Sequence, residues 1–434
     1  MNIAYDFAIR GRTLNFNSDP FITTDSSAYT YHEDGAILIK ADKIVSFGTA
    51  ESFNLGSSPK VIRFSDNHLI MPSFVDSHIH YPQADIIGGY GNNLLEWLNH
   101  YAFKAEEKYG DPMYALHQAK SFLKIIINNG ISAAGVFSSV HAASAHALFQ
   151  AADEAGIHLT TGKTWMDRNC PEALQDTAQS AYDDSETLIE RWHGKGHLSY
   201  AITPCFAITS SPAQLEAVVA LHKKYPTTTI QSHISENEAE LAYIKKLYPQ
   251  ATSYAELYHH YGLLNKYSIY GHGVLLSEQE KQLFYDTGAS IAHCPTSNEF
   301  LGNKPFDLFS AKDAKRPLSV SLASDIGAGT SYCPWQTMLG AYRASRAHGQ
   351  ALNAFQALYL STLGGAEALN IADKTGRFAA GYSADLVVIN NTATKDLAHR
   401  MEHVNSLEEE LFALITLGTE QTIARLYVSG MKLK

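Results

Sequence analysis

Past Met71, short runs of apolar and β-branched residues alternate with longer stretches in which apolar side chains recur every three or four positions. The short runs have the pattern of buried strands and the long ones that of helices with a single buried face, so their alternation predicts parallel βα repeats. The first run begins at Leu69 and ends at His80; seven more span residues 131–137, 159–163, 198–203, 229–233, 268–272, 290–294 and 318–325. The intervening helices carry start and stop signals. One opens at Asp111-Pro112, keeps Leu116, Ala119, Leu123 and Ile126 on one face and stops at Gly130; proline suits a first turn and glycine an end. Another opens at Ser211-Pro212, and Ser277 with Glu280 forms a capping box ahead of a helix that ends near Gly288. Eight strands separated by helices predict an α/β fold, a closed (β/α)8 TIM-like barrel over residues 71–374.

The two chain ends read differently. Strand-like runs joined by turns occupy residues 7–10, 36–40 and 43–48, and the same character returns at 384–389 and 422–428. The expectation is one small β-sandwich domain formed by residues 1–70 together with 375–434. No internal repeat or low-complexity tract interrupts this plan.

At 434 residues the chain is long enough for one large domain with an appendage. Hydrophobic residues at 45% and charged residues at 18% leave no long stretch poor enough in apolar side chains to stay disordered. The formal net charge of -11 lacks the basic excess that neutralises phosphates, which argues against a nucleic-acid or anionic-membrane partner and for a neutral small molecule. Cys170, Cys205, Cys294 and Cys333 stand far apart without a CxxC pair, which fits neither a disulfide framework nor a zinc ribbon and reads as reduced and intracellular. The start, Met1 to Asp6, lacks a basic segment followed by an apolar one, and no run reaches about 18 apolar residues. A cytoplasmic protein without a membrane span is expected.

Polar residues at the ends of the predicted strands carry the candidate chemistry. His78 and His80 lie two apart, so in a strand their rings share a face and can grip one ion. Taken alone, the pair also fits two satisfied polar residues at a strand end. His233, His272 and Asp325 each close another predicted strand, and a barrel of this kind gathers all strand C-termini on one face. Imidazoles with one carboxylate suit zinc or another borderline divalent cation, which would lower the pKa of a bound water toward neutrality. Hydrolysis also needs a proton carrier. Glu236, three residues after His233, is placed for that, although alone it equally fits a solvent-facing charge at a helix start. Cys294 beside His293 reads as inert packing, and Lys163 as a structural or electrostatic group.

Five stretches, Pro72-Ser73-Phe74-Val75-Asp76-Ser77-His78-Ile79-His80, Ser232-His233-Ile234-Ser235-Glu236-Asn237, Gly271-His272-Gly273, His293-Cys294-Pro295-Thr296-Ser297-Asn298 and Ser324-Asp325-Ile326-Gly327-Ala328-Gly329, together resemble the amidohydrolase superfamily. Within it the chain is similar to the guanine deaminases, through Leu94-Leu95-Glu96-Trp97-Leu98, Met166-Asp167-Arg168-Asn169 and Thr362-Leu363-Gly364-Gly365-Ala366. The likeness runs from about Gly35 to about Asn390. It implies a barrel holding one zinc ion by His78, His80, His233 and Asp325, with Glu236 as proton shuttle and His272 assisting at the attacking water. Asp325 counts with Glu236 and His272 as catalytic, and Gln83, Trp97, Cys205, Phe206 and His233 as substrate-binding: Gln83 at the purine edge, Phe206 packed on the ring. The resemblance further implies hydrolysis of guanine to xanthine and ammonia by a homodimer.

One position departs from that pattern. Thr203-Pro204-Cys205-Phe206 has cysteine where the guanine deaminases have arginine. An arginine fork donates charged, directional hydrogen bonds to a ring carbonyl, whereas a thiol is a short, weak donor. Losing one such buried contact costs on the order of 2–4 kcal/mol in transition-state binding unless water or another side chain replaces it. The alternative substrate is therefore a pterin or another amino-heterocycle. A catalytically silent barrel is the competing class, disfavoured because every ligand position is filled. The H-x-E with P-C-x-x-C of cytidine-deaminase-type sites and the Walker loop are both absent from the sequence.

Overall fold

The computed structural model describes residues 4–55, 60–91 and 94–434. Eight parallel strands form a nearly closed barrel in chain order: Phe74–His80, Ile131–Phe137, His158–Gly162, Leu198–Pro204, Thr229–Ile234, Ser268–His272, Ser290–His293 and Ser319–Leu322. The first and last strands meet through the chain just beyond the eighth, where Asp325 N–H donates to the His78 carbonyl at 2.9 Å and His80 N–H to that of Ile326 at 2.7 Å. The predicted helices occur as Pro112–Asn128, Pro212–Lys224 and Glu278–Thr287, capped by Asp111, Ser211 and the Ser277–Glu280 box.

The strands of both chain ends form a separate sheet. His68–Pro72 lies in its middle, antiparallel to Leu386–Asn390 and parallel to part of Phe7–Phe16, which pairs in turn with Tyr29–Lys40. Alternate residues serve two cores: Ile70, Leu386 and Val388 pack with Ile9, Ile37 and Ile39, while Leu69, Met71, Val387 and Ile389 face the core shared with the barrel. Both faces are covered, which explains why these strands read as uninterrupted apolar runs.

The structure corrects three strand expectations. The run from Leu69 to His80 is two strands that leave for different sheets at Ser73, whose N–H turns to the Asp385 carbonyl at 3.4 Å. The final strand ends at Leu322, so Asp325 stands in the loop beyond it with φ 52. Cys294 lies outside its strand, at the N-cap of helix Pro295–Phe300. The helices Lys395–Met401 and Leu407–Leu417 between the last terminal strands were not foreseen.

A buried pair joins the two sheets. His158, at the start of the third barrel strand, has Nε2 2.9 Å from Asp385 Oδ2, off the line of a good hydrogen bond. Asp385 also accepts from Thr375 Oγ1 at 2.7 Å and Ser429 N–H at 2.8 Å. Burial alone would raise the Asp385 pKa, but His158 and these donors outweigh it and hold the carboxyl below its ordinary value. The resulting stabilisation is complete above the ordinary carboxylate value of about 3.9 and is lost as pH falls through the lower folded one. We expect Asp385→Ala to cost about 3 kcal/mol in urea unfolding at neutral pH. The difference from the parent should shrink in acid; a neutral-pH loss of only about 0.5 kcal/mol, the scale of a surface change, would contradict this role.

Candidate active site

The first barrel strand is buried throughout, and its two-residue period sends both imidazoles to the same side. His78 Nε2 and His80 Nε2 are 3.2 Å apart, and His233 Nε2 from the fifth strand lies 3.3 Å from that of His80. Asp325 Oδ1 completes the group at 3.4 Å from His78 and 3.3 Å from His80. The Cys205 carbonyl, which can only accept, takes the His233 Nδ1–H at 2.7 Å and leaves the Nε2 lone pair facing the cluster.

A tetrahedral ion with bonds of about 2.0–2.1 Å separates its ligand atoms by about 3.3–3.4 Å. The observed separations of 3.2–3.4 Å fit that figure, and three nitrogens with one carboxylate oxygen are a donor set zinc accepts. Protonation states agree. Burial pushes His78 down to about 4 and His233 well below its ordinary value, which keeps their lone pairs free. Burial would raise Asp325, but the imidazoles of His78, His80 and His272 gathered around it hold its pKa well below the usual carboxylate range.

The loop carrying Asp325 is clamped from below. Asp76 accepts from Ser324 Oγ at 2.5 Å and from Ser324 N–H at 3.0 Å. Burial pushes Asp76 up to about 6, with these donors opposing it. Asp325, His272 and Ser235 all take left-handed φ values of 52, 72 and 51 although none is glycine. Such backbone is costly and gathers where the surroundings fix a reactive group.

Glu236 is buried, so it is not a solvent-facing helix charge. Its Oε2 lies 3.6 Å from His272 Nε2, which is 3.7 Å from Asp325 Oδ2. Asn303 Nδ2 donates to Glu236 Oε1 at 2.9 Å, and Asn298 Oδ1 meets His272 Nδ1 at 2.9 Å. The Glu240 carboxyl, one helical turn on, accepts the Glu236 backbone N–H at 2.6 Å. Burial raises the Glu236 pKa, with His272 opposing it; burial and the neighbouring Glu236 push Glu240 up to about 7.

Beside this cluster opens a cleft of about 650 Å³, counted to its mouth, into which His80, His233, Glu236, His272 and Asp325 all face. Phe206, Trp97, Leu98 and Phe103 form apolar wall, and Gln83, Glu106 and Cys205 form polar wall. The Trp97 indole N–H is held by the Gly89 carbonyl at 3.0 Å; the neighbouring Leu95 side chain lies outside the described residues. Every proposed site residue thus reaches the cleft except His78, which sits behind His80. Among the described residues, no lysine or arginine lines it.

Lys163 is paired with Asp176 at 2.6 Å, away from the cleft. The Cys294 sulfur approaches His78, His272 and Asp325 within 4.8 Å, but its S–H donates to the Ala292 carbonyl at 3.3 Å and burial pushes the thiol well above its usual value. Sequence reasoning missed Asp76, Glu106, Glu240, Asn298 and Asn303. Asp76 and Asn298 stood inside motifs already singled out, and Glu240 follows Glu236 by one helical turn; Glu106 and Asn303 had no local signal.

The Amidohydrolase family profile matches residues 69–431. Guanine deaminase of Escherichia coli (strain K12) is 44% identical over 407 residues, which cover 93% of this chain and 92% of that protein. The solved structure of E. coli guanine deaminase superposes with a TM-score of 0.95 at 41% identity, covering 99% of each chain. Guanine deaminase from C. acetobutylicum, solved with guanine bound in its active site, superposes with a TM-score of 0.88 at 28% identity over 99% of this chain and 100% of its own. With the same motifs gathered at the C-terminal mouth of the barrel, this chain belongs to the amidohydrolase family.

Proposed function

We propose that this protein hydrolytically deaminates guanine to xanthine and ammonia with one zinc ion held by His78, His80, His233 and Asp325. The observation that carries the reading is the placement of buried Glu236 and His272 beside that ligand group at the floor of a ring-sized cleft. Zinc bound there supplies Lewis acidity that makes water a nucleophile near neutral pH. His272 and Asp325 Oδ2, 3.7 Å apart, orient the attacking water against the amine-bearing carbon. Glu236 takes the proton through Oε2, since Oε1 is held by Asn303, and passes it to the departing nitrogen. The water oxygen stays on carbon, the C–N bond breaks, and ammonia leaves.

Phe206 and Trp97 pack on the ring, and Gln83 meets its edge. These groups all come from residues 71–374, which we take as the catalytic domain, flanked by 1–70 with 375–434. Four free cysteines support a reducing, cytoplasmic location, and a homodimer is the assembly the family likeness implies. Cys205 on the cleft wall favours a second reading of the substrate alone: a pterin or another amino-heterocycle.

Glu236→Gln should keep its zinc while kcat for ammonia release falls by about a thousandfold. Loss within tenfold, with metal content confirmed by atomic absorption, would remove Glu236 from proton transfer. Dialysis against a chelator should abolish turnover of the parent protein, and stoichiometric zinc should restore it. His80→Ala should bind metal at least about tenfold more weakly; undiminished activity in the stripped protein would overturn the metal assignment.

A further inference from the structure

Glu106 closes the short helix Phe103–Glu106 and lines the cleft, yet only 6% of it is exposed. Its Oε1 accepts from Gln83 Nε2 at 2.8 Å. Gln83 is occupied at its other end too, where Oε1 takes the Gly327 N–H at 3.4 Å. Among the described residues Glu106 has no cationic partner, and the cleft holds neither lysine nor arginine. Its other carboxyls, Glu236 and Asp325, belong to the reacting end. Cys205 sits within the influence of Glu106, whose charge is the strongest after burial in raising the thiol. Beside the Gln83 amide, the polar wall away from the ligand group therefore offers a carboxyl, a weak thiol donor, and the Ser138 and Thr164 hydroxyls, which already donate to backbone carbonyls.

Resting on the deaminase reading, we propose that Glu106 is a specificity-determining residue, selecting heterocycles that present a second amino or ring N–H donor where guanine presents its carbonyl. A carboxylate accepts hydrogen bonds and repels a carbonyl oxygen; an amino group in that place donates to it. Arginine at position 205 would reverse this preference by pairing with Glu106 and turning guanidinium N–H groups toward a carbonyl. Diamino-heterocycles thereby gain over guanine at this wall: one amine leaves as ammonia and the other stays bound at Glu106.

Guanine carries a carbonyl and an adjacent ring N–H where 2,6-diaminopurine carries an amine and a ring nitrogen without hydrogen, so the pair inverts the hydrogen-bonding pattern at that edge and separates the alternatives. We expect Glu106→Gln to lower the diaminopurine-to-guanine ratio of kcat/KM at least tenfold, chiefly through KM. Cys205→Arg should move the ratio in the same direction. The readouts are ammonia release and the spectrum of the product lacking its 2-amino group. A ratio within twofold of the parent in both variants, equal loss on both substrates in Glu106→Gln, or a parent protein inactive on diaminopurine would overturn the proposal. If Glu106→Gln does not fold, the Cys205→Arg ratio decides. A parent protein that releases ammonia from diaminopurine but not from guanine would sink the guanine reading while Glu106 keeps its role; inactivity on both would sink the two together.

Discussion

An ionised carboxylate in a dry interior is tolerated only where donors or cations surround it. Asp325 is that carboxylate, and the mouth of the barrel is arranged to meet its requirement. His78 and His80 stand against one of its oxygens and His272 faces the other. Its backbone N–H is tied to the His78 carbonyl, which fixes loop and strand to each other. Asp76 then secures the preceding residue from the strand side. Neither partner alone holds the left-handed backbone at Asp325 in place; the hydrogen bonds on both sides over-determine it.

The same logic recurs around Glu236. The proton-carrying role proposed for Glu236 needs a pKa raised above that of an exposed carboxylate and a fixed position, and burial supplies the first. Position comes from backbone chemistry: Asn237 caps the following helix, and the Glu240 carboxyl turns back to hold the Glu236 N–H. Burial first, and the Glu236 carboxyl beside it second, push Glu240 up to about 7. The repulsion between them is offset on one side by His272 and Asn303, both directed at Glu236.

What could be read from the sequence follows from which residues act through local pattern. The period of two in His78-Ile79-His80 and the helix signals at Asp111, Ser211 and Ser277 are local, and the structure bears them out. The barrel itself was legible because its short runs rich in apolar and β-branched residues alternate with capped helices. The boundary at Ser73 was concealed, since Leu69-Ile70-Met71-Pro72 closes a strand of the terminal sheet and Phe74-Val75 opens a barrel strand, and the apolar residues run together in sequence. Asp325 was singled out for its chemistry but assigned to a strand, because Leu318, Val320 and Leu322 alternate with serines up to Ala323. Glu106 and Asn303 could not be read at all. Their neighbours, Gln83 and Glu236, are distant in sequence, and only folding brings them into contact.

Position 205 shows how such a site can change its substrate without losing its chemistry. The backbone carbonyl of Cys205 orients His233, and every amino acid has that carbonyl. Cys205 also lines the cleft. Substitution there therefore leaves the backbone acceptor of the His233 Nδ1–H in place while altering the cleft wall. Position 206 is coupled more tightly, because the Phe206 ring lies 6.3 Å from that of His233 at a steep angle, so changing it alters cleft shape and ligand packing at once. A cleft wall varies most easily where a main-chain atom fixes a buried imidazole and the residue's side chain is free to change, and cysteine at 205 occupies such a position.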